Sequence, residues 1–414
     1  LAIFEAKAAR ILEVIMVGSQ DRNFRPSHTI AHDTDSAYLS KVALANEGLW
    51  KISDTRNAIS DNQIESGGAL ILPFLSEPKS ALRVAEAWKN QTKVWFQNPL
   101  YHCPIFPISA SLCKETEDEL RGAEFPVYRQ DLLLEAINWN LLVQHGVLPA
   151  SALDSQNLPK GRKGKTMLAG TLLALRQNAQ WIMFHDSDVT NSVEYGALEA
   201  IPRLLGSNAR YEACMMALVG PNRNNEPWTT HTNIVALSEM FNRDVRKIAT
   251  RLGRIIWALT GERGFSRDCI LNLPFALGMG IETIFDVACC EKEVKDGRSF
   301  IQQVIGVINK EERGTSDVER ENALITACTL CLARLLEYLN SDTATPLWGL
   351  DLNGAAAINA CYTAKEVDIF VHPGTPAAQS VQRVRRETIL PCINELEAGG
   401  YIDWKVIDHI ASTR

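Results

Sequence analysis

No stretch of the 414 residues approaches the roughly 18 consecutive apolar side chains that a membrane-crossing helix requires, so no membrane span is expected. A basic excess is missing as well. The formal net charge is −7, which leaves no global positive field and argues against non-specific nucleic-acid binding. Internal repeats and low-complexity tracts are absent. The ten cysteines are scattered, and the adjacent pair Cys289–Cys290 makes a poor disulfide framework, so a reducing, cytoplasmic compartment is expected. Leu1 stands at the start instead of a methionine, which leaves a removed leader or a trimmed start open. What remains is ordinary globular composition, 46% hydrophobic and 22% charged, at a length that predicts two or three structural units with at least one sizeable core.

Residues 1–65 carry a strand-like run, ARILEVIMVGSQD, and an amphipathic helical run, DSAYLSKVALANEGLW, but no recognisable chemistry. They read as an N-terminal extension of unknown role. In GGALILPFLSEPKSALRVAEAWKN, two glycines precede an apolar run and a helical pattern follows from Lys79, which predicts strand, loop and helix. KVWF offers a second short strand. Residues 98–127, with Pro99, Pro104 and Pro107 and the acidic KETEDEL, read as loop. One helix is predicted around 129–145. The polar, basic connection DSQNLPKGRKGK follows, then the helix TMLAGTLLALRQNA and the strand WIMFH. From about 316 the pattern is mostly helical, interrupted by VDIF as a strand. The expected division is 1–65, an α/β domain over 66–315, and a helical region over 316–414.

The strand WIMFH ends in Asp186-Ser187-Asp188, two carboxylates one residue apart. In open α/β sheets ligands bind outside the C-terminal ends of the strands, which is where this pair falls. Two chemistries want such a pair. One is a phosphoaspartyl (HAD-like) phosphatase, in which DSDVT supplies a nucleophile and an acid/base partner; it needs a later strand ending in acidic ligands, for which LWGLDLNG near Asp351 is the candidate. The other is a hard divalent cation held against a nucleotide diphosphate. The upstream run ILPFLSEP and the basic loop KGRKGK supply what that second reading asks for. A solvated strand end, or a protein that binds a sugar nucleotide without catalysis, are the plainer alternatives.

Three segments together resemble the retaining GT-A glycosyltransferases of the glucosyl-3-phosphoglycerate synthase and mannosylglycerate synthase type. They are ALILPFLSEP, then RKGKTMLAGTLLAL with WIMFHDSDVTN, and the ungapped run LTGERGFSRDCILNLPFALGMGIE over residues 259–282. The resemblance covers roughly residues 66–312. It implies a GT-A, Rossmann-like α/β domain that moves a hexose, glucose or mannose, from a UDP-, GDP- or ADP-hexose to a small anionic acceptor such as 3-phosphoglycerate or glycerate. Mg²⁺ or Mn²⁺ would be the cofactor, and a homodimer the assembly. Pro73, Phe74, Leu75 and Glu77 would line the nucleoside pocket, with Glu77 on the ribose hydroxyls. Lys163 would contact the diphosphate. Asp188 would ligate the metal, and Asp186 would touch the metal shell or the ribose. Gly261 and Glu262 would sit under the donor sugar, and Glu282 near the reacting centre and the acceptor. Retention without an enzymic nucleophile implies front-face attack, with the departing phosphate taking the acceptor proton.

The chain departs from that pattern twice. Arg162 replaces the first glycine of the Gly-Lys-Gly loop, adding charge and removing backbone freedom. VIGVINKEERG has no histidine where the resemblance implies a metal ligand; Asn309 or Glu311 could supply an oxygen instead, or His372 could approach from the C-terminal region. For Glu262 and Glu282 a helix cap or surface acid is the alternative. Arg243, on the helical face it shares with Lys247 and Arg254, is either a grip on the acceptor phosphate or part of a solvated basic face. Arg267 reads as a structural ion-pair partner. His185 reads as a strand-end residue, with a place behind the sugar or metal as the alternative. The Cys328-x-x-Cys331 pair reads as core packing, and PGTPAAQS as a plain helix start.

Overall fold

The computed structural model describes residues 67–73, 105–109, 117–118, 121–122, 127–161, 163–187, 211–219, 242–252, 261–297, 299–307, 328, 331–332, 334–361 and 387–413. Its strands are β1 (Gly68–Pro73), β2 (Ile105–Ser109), β3 (Tyr128–Arg129), β4 (Trp181–Phe184), β5 (Tyr211–Val219), β6 (Arg263–Ser266), β7 (Phe275–Ala276), β8 (Ser299–Val307) and β9 (Ile389–Leu390). Its helices are α1 (Gln130–Leu134), α2 (Trp139–Gln144), α3 (Lys163–Arg176), α4 (Arg243–Leu252), α5 (Arg267–Asn272), α6 (Ile281–Asp296), α7 (Leu352–Cys361), α8 (Ile393–Ala398) and α9 (Trp404–Ser412).

A seven-stranded mixed sheet in the order β3-β2-β1-β4-β6-β5-β8 forms the centre. β1 lies parallel to β2 and β4, while β6 runs antiparallel to both β4 and β5. Every residue of β1 and β4 is buried, as expected of central strands covered on both faces, whose sequences are apolar runs and not alternations. Helix α3 is buried from Thr166 to Leu175. It comes so close to β1 that a Cβ on Gly170 would stand 2.6 Å from the Ile71 side chain. Phe184, Phe265, Phe275 and Phe285 form an aromatic knot between β4, β6, β7 and α6, with the Phe265–Phe285 and Phe275–Phe285 rings edge-on at 4.9 and 5.3 Å.

Three expectations change here. The proline-bearing stretch 98–127, read as loop, contributes β2. Proline lacks the N–H a central strand needs, but β3 pairs only with Ile108 and Ser109, so at Pro107 no described strand lies on that side of β2. The single helix expected over 129–145 is two. The break carries a bridge from Ile137 to Ile402 and a bond from Asn138 N–H to the Tyr401 carbonyl, after which the Asn138 side chain caps α2 by accepting from Leu141 N–H at 3.0 Å. The basic KGK run is not all loop, since α3 starts at Lys163.

Among the described residues of the C-terminal stretch, α7, α8 and α9 stand beside β9, which pairs antiparallel with β7. Helix α8 packs on α5, and α9 on α3 and α1. Arg267 is structural, as read, though its partners are carbonyls and not an acid: the guanidinium donates to Leu175 O and Ala179 O, both at 3.1 Å, at the end of α3. Cys328 and Cys331 are buried, their thiols facing the Met279 and Gly280 carbonyls. No described helix is long and apolar enough to cross a membrane.

Candidate active site

The register of the sheet brings distant segments to one edge. Pairing of Ile71 with Phe184 makes β1 and β4 end together. His185 N–H then donates to the Ile71 carbonyl at 3.1 Å, and the Ser187 hydroxyl to the Pro73 carbonyl at 2.7 Å. Because β6 is antiparallel to β4, its start lies beside the end of β4, and Phe184 pairs with Arg263. Gly261 and Glu262 therefore sit next to His185 and Asp186, though 75 to 77 positions separate them in the chain.

Lys163, in the first turn of α3, reaches into this corner. Its ammonium donates to Asp186 Oδ1 at 2.6 Å and makes a second, short bond to Glu282 Oε1. The side chains are 12%, 19% and 7% exposed in the order Lys163, Asp186, Glu282, so these are largely desolvated pairs. Burial alone would lower the lysine pKa, but the two carboxylates more than reverse that and hold it above its ordinary value. Gly261 is what lets the corner close. A Cβ there would lie 2.0 Å from Asp186 Oδ1 and 2.6 Å from Lys163 Nζ.

Glu262 and Glu282 are both buried, which removes the surface-acid reading for each. Glu282 lies in the first turn of α6, where the helix N-terminus favours a carboxylate. His185 is fully buried, its Nδ1 3.0 Å from the Asp186 carbonyl and 3.8 Å from Glu262 Oε1.

Beneath these groups runs an ion pair that the sequence reading did not find. Arg263 donates to both oxygens of Asp286, one of them at 3.2 Å, and to the Glu282 carbonyl at 3.2 Å. Burial pushes the Asp286 carboxyl up to about 7 against the pull of Arg263. The signal was in IETIFD, where Glu282 and Asp286 are four residues apart and so share a helix face. Glu387 was missed as well. Its carboxylate accepts from the backbone N–H of Gly278 and, at 2.8 Å, of Gly280. No local pattern around RRETILP announces that partnership.

Not every expected residue joins the cluster. Arg243 is exposed at the start of α4 and makes no ion pair or hydrogen bond with Lys163, Asp186 or Glu282; Lys247 on the same helix pairs with Asp244. Phe74, Leu75, Glu77, Asp188 and Asn309 lie outside the described residues, as do Glu311, His372, Arg162, Arg254, KVWF, VDIF and PGTPAAQS. Asp351 is the N-terminal cap of α7, accepting from Gly354 N–H at 2.7 Å, and no strand ends at it. That removes the one acidic strand end offered for the phosphatase reading.

Among the described residues no group of three or more His, Cys, Asp and Glu is placed to hold a metal ion. Donor type and charge nonetheless fit a hard cation. Asp186 and Glu282 bring two largely buried carboxylates to the ammonium of Lys163, and oxygen donors suit Mg²⁺ or Mn²⁺.

No known family model matches the chain, and no curated protein sequence does. Solved structures do. Three crystal structures of glucosyl-3-phosphoglycerate synthase from Mycobacterium tuberculosis are similar to it, each at 16% identity. The complex with Mn²⁺, UDP and glucosyl-3-phosphoglycerate gives a TM-score of 0.51 over 73% of this chain and 90% of that one. The complex with Mn²⁺, UDP and phosphoglyceric acid gives 0.51 over 74% and 89%, and that with Mn²⁺, UDP-glucose and phosphoglyceric acid 0.50 over 75% and 91%. The fold is GT-A. At this identity the likeness speaks for the fold and leaves the chemistry to the site.

Proposed function

We propose that this chain is a retaining hexosyltransferase that moves glucose or mannose from a nucleotide diphosphate sugar to a hydroxyl of a small anionic acceptor, such as 3-phosphoglycerate or glycerate. The observation that carries the reading is the desolvated Lys163–Asp186–Glu282 cluster, closed under Gly261 at the joint ends of β1 and β4. A GT-A fold supports it, because ligands of open α/β sheets bind at that edge.

In the transfer, the bond from the acceptor oxygen to the anomeric carbon forms as the bond from that carbon to the diphosphate oxygen breaks. The electron pair leaves with the diphosphate, whose oxygen on the same face receives the acceptor proton. Lys163 stays protonated at neutral pH and so offers a fixed positive charge to the diphosphate as it departs. Glu282, one bond from Lys163, would orient the acceptor hydroxyl, and Glu262 and Gly261 would lie under the sugar. The Pro73 end of β1 would border the nucleoside, with Phe74, Leu75 and Glu77 continuing that wall. Asp186 and Asp188, with an oxygen from Asn309, would hold Mg²⁺ or Mn²⁺, which when bound neutralises charge on the diphosphate. Arg243, exposed on α4, would enter only as a grip on the acceptor's anionic group.

The test is turnover in Asp188→Ala beside wild type, with UDP-, GDP- and ADP-glucose and GDP-mannose as donors. Loss of turnover with unchanged urea stability is expected; wild-type turnover would sink the metal assignment.

A further inference from the structure

The buried carboxylate of Glu387 has no part in the scheme above, yet it lies one backbone segment away from the cluster. Both of its oxygens are used, one on Gly278 N–H and the other on Gly280 N–H. A carboxylate taken out of water is costly unless its acceptors are filled, so this arrangement holds the 278–280 turn firmly. The two glycines leave the room it needs. A Cβ on Gly278 would stand 2.5 Å from Glu387 Oε1, and one on Gly280 2.8 Å from Oε2. Gly280 is also the residue before α6, so the negative charge sits at the start of a 16-residue helix, where its dipole favours an anion.

The same turn faces the cluster from two sides. Glu282 follows Gly280 by two residues. On the other side, Gly164 N–H donates to Gly278 O and Lys165 N–H to Leu277 O, both at 3.0 Å, so the first turn of α3 is hung on this segment. A Cβ on Gly164 would stand 1.8 Å from Ala276 O, which shows how tightly the two backbones meet. From the C-terminal side the segment is held again by Leu277 N–H on Thr388 O at 2.9 Å and by the β7–β9 pairing.

We infer that Glu387 is a positioning residue: acting through the 278–280 backbone, it sets where both Lys163 and Glu282 stand. Its kinetic consequence rests on the proposed transfer; its structural consequence does not. In Glu387→Gln an amide NH₂ replaces one acceptor and confronts a backbone N–H, so one of the two anchors is lost.

The experiment labels lysines of the full-length chain with an amine-reactive reagent at pH 8 and reads Lys163 and Lys292 by peptide mass spectrometry. Lys292, paired with Asp296 at the far end of α6, reports general loosening. Labelling of Lys163 should rise about tenfold in E387Q, the factor carried by roughly one charge-assisted hydrogen bond, while Lys292 stays at its wild-type rate. Unchanged Lys163 labelling overturns the inference, and so does a parallel rise at both lysines. If E387Q does not fold, E387D, which keeps the charge but shortens the reach, should raise Lys163 labelling alone; no rise there also overturns it. On the kinetic side kcat should fall about tenfold with little change in donor KM. A wild-type chain inactive with every donor and acceptor would overturn the transfer reading, and the labelling would still decide the role of Glu387.

Discussion

Replacing Gly261 with alanine adds one methyl group where the structure has none to spare. The new Cβ would fall 2.0 Å from Asp186 Oδ1, about 1.4 Å short of van der Waals contact, and 2.6 Å from Lys163 Nζ. Gly261 is not among the residues of positive φ, so alanine meets no backbone penalty and the perturbation is confined to this contact. Asp186 has to swing away, and a 2.6 Å bond to Lys163 stretched by that amount is no longer a hydrogen bond. A charge-assisted bond of this kind contributes about 1.5–3 kcal/mol, so kcat/KM for the proposed hexose transfer should fall roughly 10- to 150-fold. Urea unfolding should show a loss of similar size. The assay is nucleotide diphosphate release in G261A beside wild type, with the urea midpoint measured on the same preparations. Unaltered turnover with an unaltered midpoint would refute the close packing of the three groups.

Lys163→Met leaves Asp186 and Glu282 buried without their shared cation and should cost about 3–5 kcal/mol in urea unfolding; a loss under 1 kcal/mol would contradict the desolvated pairing. Since the folded-state pKa of Lys163 is raised, its stabilisation is complete below its unfolded value of about 10.4 and fades only as pH climbs past that. In the wild type the Lys163 ammonium should therefore stay protonated between pH 6 and 9, and an NMR titration of its Nζ within that window would count against the assignment. Phe265→Ala opens the aromatic knot and should cost about 3–5 kcal/mol by thermal or urea unfolding; a change under 1 kcal/mol would show the knot is not packed as described. Arg267→Met strips two donors from the end of α3 and should cost about 1–3 kcal/mol, with an unchanged midpoint as the opposing result.

Strands β1 and β4 were legible because buried parallel strands are written as uninterrupted apolar runs, and the glycine pair at the start of β1 and the aspartates after β4 mark their ends. The α/β class followed from their alternation with helices. Strand β2 was not legible, since Pro107 signals a loop locally, and only the shortness of β3 makes it tolerable in a sheet. The break between α1 and α2 was hidden because its partners, Tyr401 and Ile402, lie more than 260 positions away. At the site, Lys163, Asp186, Gly261 and Glu282 could be singled out because each sits in a recognisable run. Their meeting depends on the antiparallel β6, which no local pattern specifies. Glu387 had no such run around it, and burial of Glu262 and His185 could not be read from polar residue types that ordinarily face water.

The most direct test of the central claim is nucleotide diphosphate release by the full-length chain. Donors would be UDP-, GDP- and ADP-glucose and GDP-mannose with Mg²⁺ or Mn²⁺, each with and without 3-phosphoglycerate or glycerate, and the product linkage would be read by NMR. Release that requires one acceptor, with the anomeric configuration of the donor kept in the product, is the expected result. Saturable nucleotide binding with no acceptor-dependent release for any pair would contradict hexose transfer to these acceptors and leave a sugar-nucleotide-binding protein in its place.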